Sequence, residues 1–188
     1  MKTMILMQTM LMSGLISLCS LLGCSKSRDS IKDDILSIPK TPYIGKQLRI
    51  DGYYYTINKY DNTFDIMFFY KNGVIMDAGG GFKINQSEDY ESKFANGSFY
   101  ERVKGDKTSW GLFSIQIDQM QFEHWYSSSG GPKHAYVRSG KILNDSTFHI
   151  TESYRMQDGN KTELSAKDEV YHFKKFSPKP DSVNVFVP

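Results

Sequence analysis

The chain reads as an all-β protein, an antiparallel up-and-down meander closing into a barrel of about eight to ten strands with one short helix. Three observations predict this. Apolar residues recur at every second position through most of the chain after residue 45, the period of a half-buried strand. Turn signals, among them Asn72-Gly73, Asn144-Asp145-Ser146 and Asp158-Gly159, break these runs at short intervals. A single window, Ser87 to Ala95, has helical spacing instead.

Taken in order, Leu48-Arg49-Ile50-Asp51 leads into the β-rich run Gly52-Tyr53-Tyr54-Tyr55-Thr56-Ile57. Phe64, Ile66, Phe68 and Tyr70 then alternate with Asp65, Met67 and Phe69. Lys71-Asn72-Gly73 predicts a type I′ hairpin into Val74-Ile75-Met76, because Asn and Gly tolerate positive φ. Ala78-Gly79-Gly80-Gly81 is followed by no Lys-Ser/Thr, so it reads as a bend or bulge rather than a phosphate cradle. The predicted helix carries Tyr90 and Phe94 four residues apart, acids near its start and Gly97 as its stop. Phe113, Ile115 and Ile117 alternate with Ser114, Gln116 and Asp118, and the pattern resumes in Met120, Phe122, His124 and Tyr126. Tyr136 to Leu143, Thr147 to Tyr154 and Glu169 to Phe176 complete the set. Successive hairpin links favour a meander, and closure removes exposed strand edges.

The start of the chain has a different character. Lys2 precedes an apolar stretch from Met4 to Leu22, and no acid occurs before Asp29, as in a secretory signal peptide. Leu21-Leu22-Gly23-Cys24 resembles the lipobox of bacterial lipoprotein signals, which implies removal of residues 1–23 and acylation of Cys24 as the new N-terminus. Cys19, preceded by Leu18, would leave with the peptide. Two readings compete: an uncleaved span of about 19 apolar residues halted by Lys26 and Arg28, and a metal or redox pair of Cys19 and Cys24. At about 0.8 kcal/mol per buried CH₂, two or three chains such as palmitate make a lasting anchor where one is marginal. The expected location is the bacterial cell envelope, tethered to a membrane, with the outer membrane favoured. Residues 24–44 form the lipidated cysteine and a polar, proline-punctuated flexible spacer, and residues 45–177 the barrel. Residues 178–188 form a proline-containing tail in which Val183 to Val187 is expected to pair as an edge strand. No cysteine follows Cys24, so the exported domain folds without a disulfide.

A net charge of +2 with acids and bases interspersed excludes a nucleic-acid footprint. No G-x-S-x-G, P-loop, H-E-x-x-H or G-x-G-x-x-G occurs, and the four histidines make no i,i+2 or i,i+4 pair. The chain is therefore expected to be no enzyme, with no catalytic residues, cofactor or metal. His124 shares a face with Phe122 and Tyr126, and His172 with Val170, while His134 lies in a loop. Asp77, Glu123 and Glu152 occur within or at the ends of apolar strands. Alternation puts Glu152 on the inward face with Phe148 and Ile150, where Arg138, beside Tyr136 and Ile142, is its natural partner. Such a pair can be a structural ion pair, a polar anchor for a ligand, or half of a hydrolytic carboxylate pair. Adjacent aromatics such as Tyr53-Tyr54-Tyr55 and Phe68-Phe69-Tyr70 point to opposite faces, so some rings stay exposed unless another element covers them. Exposed rings could stack on sugars or meet a protein.

Taken together, Trp110-Gly111-Leu112-Phe113, Phe122-Glu123-His124-Trp125-Tyr126, Gly140-Lys141-Ile142-Leu143-Asn144-Asp145 and Tyr171-His172-Phe173-Lys174-Lys175-Phe176 resemble small lipocalin-like lipoproteins of Bacteroidetes-type bacteria. The nearest counterpart of the lipocalin Gly-x-Trp is Gly52-Tyr53-Tyr54. The resemblance covers most of the mature domain and implies a lipocalin-like barrel. Candidate ligand-binding residues are Arg138, Glu152, His124 and Tyr54. Expected partners are the membrane through the lipid on Cys24, a small hydrophobic or glycan ligand, or an envelope protein, with no nucleic acid. The alternatives are an accessory subunit of an envelope complex, with a filled barrel, and a hydrolase using inward carboxylates. Asp29-Ser30-Ile31, Asp145-Ser146-Thr147 and Asp181-Ser182-Val183 also resemble sites at which such bacteria glycosylate exported proteins, on Ser30, Ser146 and Ser182.

Overall fold

Eight antiparallel strands pair in chain order, and the last returns to the first to close a barrel. The computed structural model describes residues 32–58 and 61–187, without the side chain of Ile84. The expected signal segment with Cys19, the lipobox-like residues 21–24 with the expected acylation site Cys24, and Ser30 lie outside the described residues. The strands are β1 (Gly52–Ile57), β2 (Thr63–Phe69), β3 (Val74–Lys83), β4 (Trp110–Gln116), β5 (Gln119–Tyr126), β6 (His134–Asn144), β7 (Thr147–Gln157) and β8 (Asn160–Lys175). Closure comes from β1 and β8, with Tyr54 opposite Phe173 and Tyr55 opposite His172.

Alternation along each strand sends one set of side chains into the lumen. Phe69 on β2 meets Phe113 on β4 at 5.1 Å, Phe122 on β5 at 6.2 Å and Phe148 on β7 at 5.8 Å between ring centroids. These strands are not neighbours in the sheet, so the rings meet across the interior. Tyr54, Met67, Ile75, Met120, Ile150 and Tyr171 complete the buried inner cluster. This packing fills the end of the barrel where the β2–β3, β4–β5 and β6–β7 turns lie. There Leu48 is buried and the Tyr43 ring sits 5.6 Å from Phe113 as a plug.

The opposite face of the same strands carries a second core. Tyr53, Phe68 and Trp110 point outward and are covered by two helices in the β3–β4 connection, α1 (Ser87–Ala95) and α2 (Ser98–Val103). Phe94 of α1 lies 5.1 Å from Phe68 and 4.9 Å from Phe99 of α2. Glu88 and Asp89 stand in the first turn of α1 and Lys93 in its last, with Lys93 paired to Asp89 at 2.7 Å, an arrangement that suits the helix dipole. Gly97 stops α1 as expected, taking a left-handed φ of 80° just past the Asn96 C-cap, and it also caps the start of a second helix that the spacing does not predict.

Residues 33–44, expected as flexible spacer, are a strap fastened along the outside of the barrel. Trp125 Nε1 donates to the Asp34 carbonyl at 2.7 Å, and Arg155 donates twice to the Asp34 carboxylate, both at 2.7 Å. Further along, Glu123 Oε2 accepts the backbone N–H of Ser37 at 2.6 Å and of Ile38 at 2.9 Å, with the Ser37 hydroxyl at 3.0 Å. Glu123 is buried, and burial, outweighing these bonds, raises its pKa. The tail also docks rather than adding a strand. Lys179 Nζ donates to the carbonyls of Ile50 and Phe69, Tyr70 donates to the Pro180 carbonyl, and Val187 is buried. The closed sheet offers no free edge, and Asn184 Oδ1 accepts the N–H groups of Phe186 and Val187 locally. Lys40 Nζ donates to the Val187 carbonyl, so strap and tail lie side by side.

Two local details also differ from, or sharpen, the expectation. At the β2–β3 turn only Gly73 has positive φ, with its N–H bonded to the Tyr70 carbonyl at 3.0 Å. This is an ordinary turn over Lys71-Asn72 followed by a left-handed glycine, not type I′. Any Cβ at Gly73 would lie 2.3 Å from the strap carbonyl of Thr41. The glycine run does form a bulge: Gly79 and Gly81 take φ of 82° and 85°, and the β2–β3 register shifts beside them. Among the described residues, no helix is long and apolar enough to cross a membrane.

Glu123→Ala is expected to lower stability by roughly 2–4 kcal/mol, since two amides lose their acceptor, and to expose residues 37–47 to protease. Glu123→Gln keeps an acceptor oxygen and should cost less than half as much. Urea unfolding with limited proteolysis measures both; equal losses in the two variants would show that this oxygen does not hold the strap.

Candidate functional site

On five strands the inward series changes from apolar to polar at about the same level of the barrel. On β2 it runs Phe69, Met67, Asp65; on β3, Ile75 then Asp77; on β5, Phe122, His124, Tyr126. On β6 it runs from Ile142 to Arg138, and on β8 from Tyr171 to Glu169. The aromatic fill therefore gives way to a cavity of about 200 Å³ lined by Asp65, Asp77, His124, Tyr126, Arg138 and Tyr171. The side chains of Asp77, Arg138 and Glu169 remain 22%, 18% and 25% exposed, so the cavity communicates with solvent. Gly80 closes one wall, where a Cβ would lie 2.1 Å from Asp65 Oδ1.

Arg138 is the organising cation. Its Nη1 pairs with the Glu169 carboxylate and its Nε donates to Tyr126 Oη at 3.0 Å. Burial opposes its charge, but Tyr126, Tyr171 and Glu169 outweigh that and keep it protonated. Tyr126 is pushed up to about 12 by burial, so its hydroxyl stays neutral. Burial, reinforced by the charges of Asp77 and Glu169 and opposed by Arg138, raises Asp65 above the usual carboxylate range. Asp77 Oδ1 accepts the Gly79 N–H at 2.8 Å, which ties this carboxylate to the bulge. His124, only 4% exposed, has its pKa lowered, chiefly by burial with a contribution from Arg138 and against the pull of Asp77. Its Nδ1 lies 3.6 Å from Asp77 Oδ2, beyond hydrogen-bond reach, and has no partner among the described residues.

Two of the four candidate ligand residues, Arg138 and His124, line this cavity. Glu152 does not. An irregularity beside Thr151 shifts the β6–β7 and β7–β8 registers between Ile150 and Glu152, which reverses the alternation. Glu152 consequently faces outward and pairs with Lys161 at 2.8 Å, and Arg138 takes Glu169 instead. Tyr54 is inward but belongs to the apolar fill, its hydroxyl donating to the Asp145 carbonyl at 3.0 Å to fasten the β6–β7 turn. Asp77 proves inward, Glu123 outward. Asp65, Tyr126, Glu169 and Tyr171 were not singled out, although continuing each strand's inward series by twos would have reached them. The other histidines lie elsewhere: His134 near Asp34, His149 with Asp168, and His172 against Tyr55.

Chemically, the site offers two carboxylates, one neutralised guanidinium, two phenols and an imidazole whose Nδ1 makes no hydrogen bond among the described residues. Among the described residues no group of three or more His, Asp and Glu is placed to hold a metal ion. Comparison of the chain with protein-family models, with curated proteins and with solved structures finds no match.

The two perturbed groups give opposite pH signatures. The unfolded chain takes up a proton at His124 near pH 6.5 that the folded chain resists, so this contribution to stability is lost as pH falls below about 6.5. Asp65 holds its proton more tightly when folded, so its contribution is present below about pH 4 and lost as pH rises through the folded value. Urea unfolding from pH 3.5 to 7.5 should therefore show His124→Gln flattening the loss below pH 6.5. Asp65→Asn should be more stabilising, relative to the parent, at pH 7 than at pH 4. The reverse ordering for Asp65→Asn would show that the carboxylate is not desolvated in the lumen.

Proposed function

We propose that the protein is a membrane-tethered, non-enzymatic, lipocalin-like lipoprotein of the bacterial cell envelope that binds a small polar ligand in the upper lumen. The tether is the lipid on Cys24, and the outer membrane is the proposed location. The observation that carries the binding role is the division of the lumen. Rings pack one half across the barrel, while the other half keeps a cavity of about 200 Å³ among ionisable groups. An eight-stranded barrel has room either for its own side chains or for one small ligand, and here both uses share one lumen. The volume falls below the roughly 300–1,000 Å³ of drug-sized pockets, which favours a small molecule. The filled apolar half and the polar walls favour a hydrophilic occupant over a hydrophobic one.

Two experiments test the two parts. Cys24→Ala should leave an unprocessed, unacylated precursor, seen as a mass increase by intact-mass measurement; mature protein that stays on membranes without Cys24 would defeat the lipoprotein reading. Native mass spectrometry of protein from its own host should show a retained small molecule that is lost in His124→Phe, where an apolar ring replaces the lining imidazole. A clean apo mass under gentle ionisation would count against the ligand role.

A further inference from the structure

Resting on the reading of the upper lumen as a ligand site, we infer that its occupant is a small organic cation bearing a primary ammonium group. The charges come first. Of the groups lining the cavity, Arg138 is already neutralised by Glu169 and bonded to Tyr126. Asp65 and Asp77 remain, and among the described residues neither is paired with a lysine or an arginine. Their nearest basic neighbour, His124, is kept neutral by its burial and so offers no compensating charge. Two carboxylates in a partly dehydrated lumen repel each other, and Asp65 is raised by its burial first and by the charge of Asp77 second. A cation between them relieves the strain, an anion adds to it, and a neutral polyol leaves it in place.

A second observation is independent of the charges. His124 Nδ1 is buried, makes no hydrogen bond among the described residues, and stands 3.6 Å from Asp77 Oδ2 at the cavity wall. Buried polar atoms are rarely left without a partner. An ammonium group carries three donors, so it can serve the Asp77 carboxylate and the lone pair of a neutral His124 imidazole together. A bare metal ion suits the site less well, since the described residues supply no set of three ligands. Size sets the scale: a cavity of about 150 Å³ holds a benzene ring, so about 200 Å³ suits roughly six to eight non-hydrogen atoms.

The test compares 1,4-diaminobutane with 1,4-butanediol, ligands of equal length that differ in charge, by titration calorimetry on the full chain in detergent. The diamine is expected to bind at least tenfold more tightly and to shift the ¹⁵N resonance of His124 Nδ1. Each of Asp65→Asn and Asp77→Asn should weaken it about tenfold, and added salt should weaken it further. Both substitutions are near-isosteric and remove buried charge, so folding should survive; far-ultraviolet circular dichroism checks this. If the diol or glutarate binds as tightly as the diamine and moves the His124 resonance, the cationic class is overturned while the lumen remains a ligand site. If none of the three moves it, both readings fall.

Discussion

Closing the sheet between β1 and β8 is the constraint on which the rest of the molecule depends. With Tyr54 opposite Phe173 and Tyr55 opposite His172, no strand edge is free, and the lumen has the width that eight strands allow. Within a space of fixed width, the size of the inward side chains decides where the interior is solid. Phe69, Phe113, Phe122 and Phe148 span it at one end. At the other, Asp65, Asp77 and His124 occupy inward positions with shorter side chains, and a gap remains.

The same alternation creates the need for an outer layer. A strand that sends Phe69 inward must send Phe68 and Tyr70 outward, and burying each such ring is worth roughly 1.5–3 kcal/mol. The helices, the strap and the tail supply that cover, so the segments flanking the barrel in the chain are part of its core. Glu123 shows how tightly one of them is fitted. An outward carboxylate under a strap would be costly alone, but one of its oxygens accepts two main-chain amides and a hydroxyl that otherwise lack partners. The carboxylate and the strap thus satisfy each other.

Inside the barrel the polar groups are less completely satisfied. Arg138 is bonded to both Glu169 and Tyr126, whereas among the described residues the Nδ1 of His124 has no hydrogen-bond partner. Desolvating such groups works against folding. A buried carboxylate and an imidazole nitrogen with no hydrogen bond among the described residues are a cost in stability that the proposed ligand would offset. The bulge at Gly79–Gly81 serves the same site, because it lets Asp77 bond the Gly79 amide and leaves room at Gly80 for Asp65.

Much of the barrel was legible in the sequence, because periodicity is a local property: most of the strands and the inward direction of Arg138 and His124 follow from a two-residue period, and the helix of Tyr90 and Phe94 from their four-residue spacing. The resemblance of Leu21-Leu22-Gly23-Cys24 to a lipobox is likewise read from contiguous residues. Partnership was decided only by tertiary structure. One irregularity beside Thr151 turned Glu152 outward and gave Arg138 to Glu169, 31 residues along the chain, since a single slip reverses every side chain beyond it. The strap looked like a spacer because its polarity is read locally, while the groups that hold it, Glu123, Trp125 and Arg155, lie more than 80 residues away. Period thus indicated which residues face the lumen wherever a strand stays regular; the irregularity beside Thr151 and the closure of the sheet decided the rest and which residues meet, because distances across a barrel are set by register and not by separation along the chain.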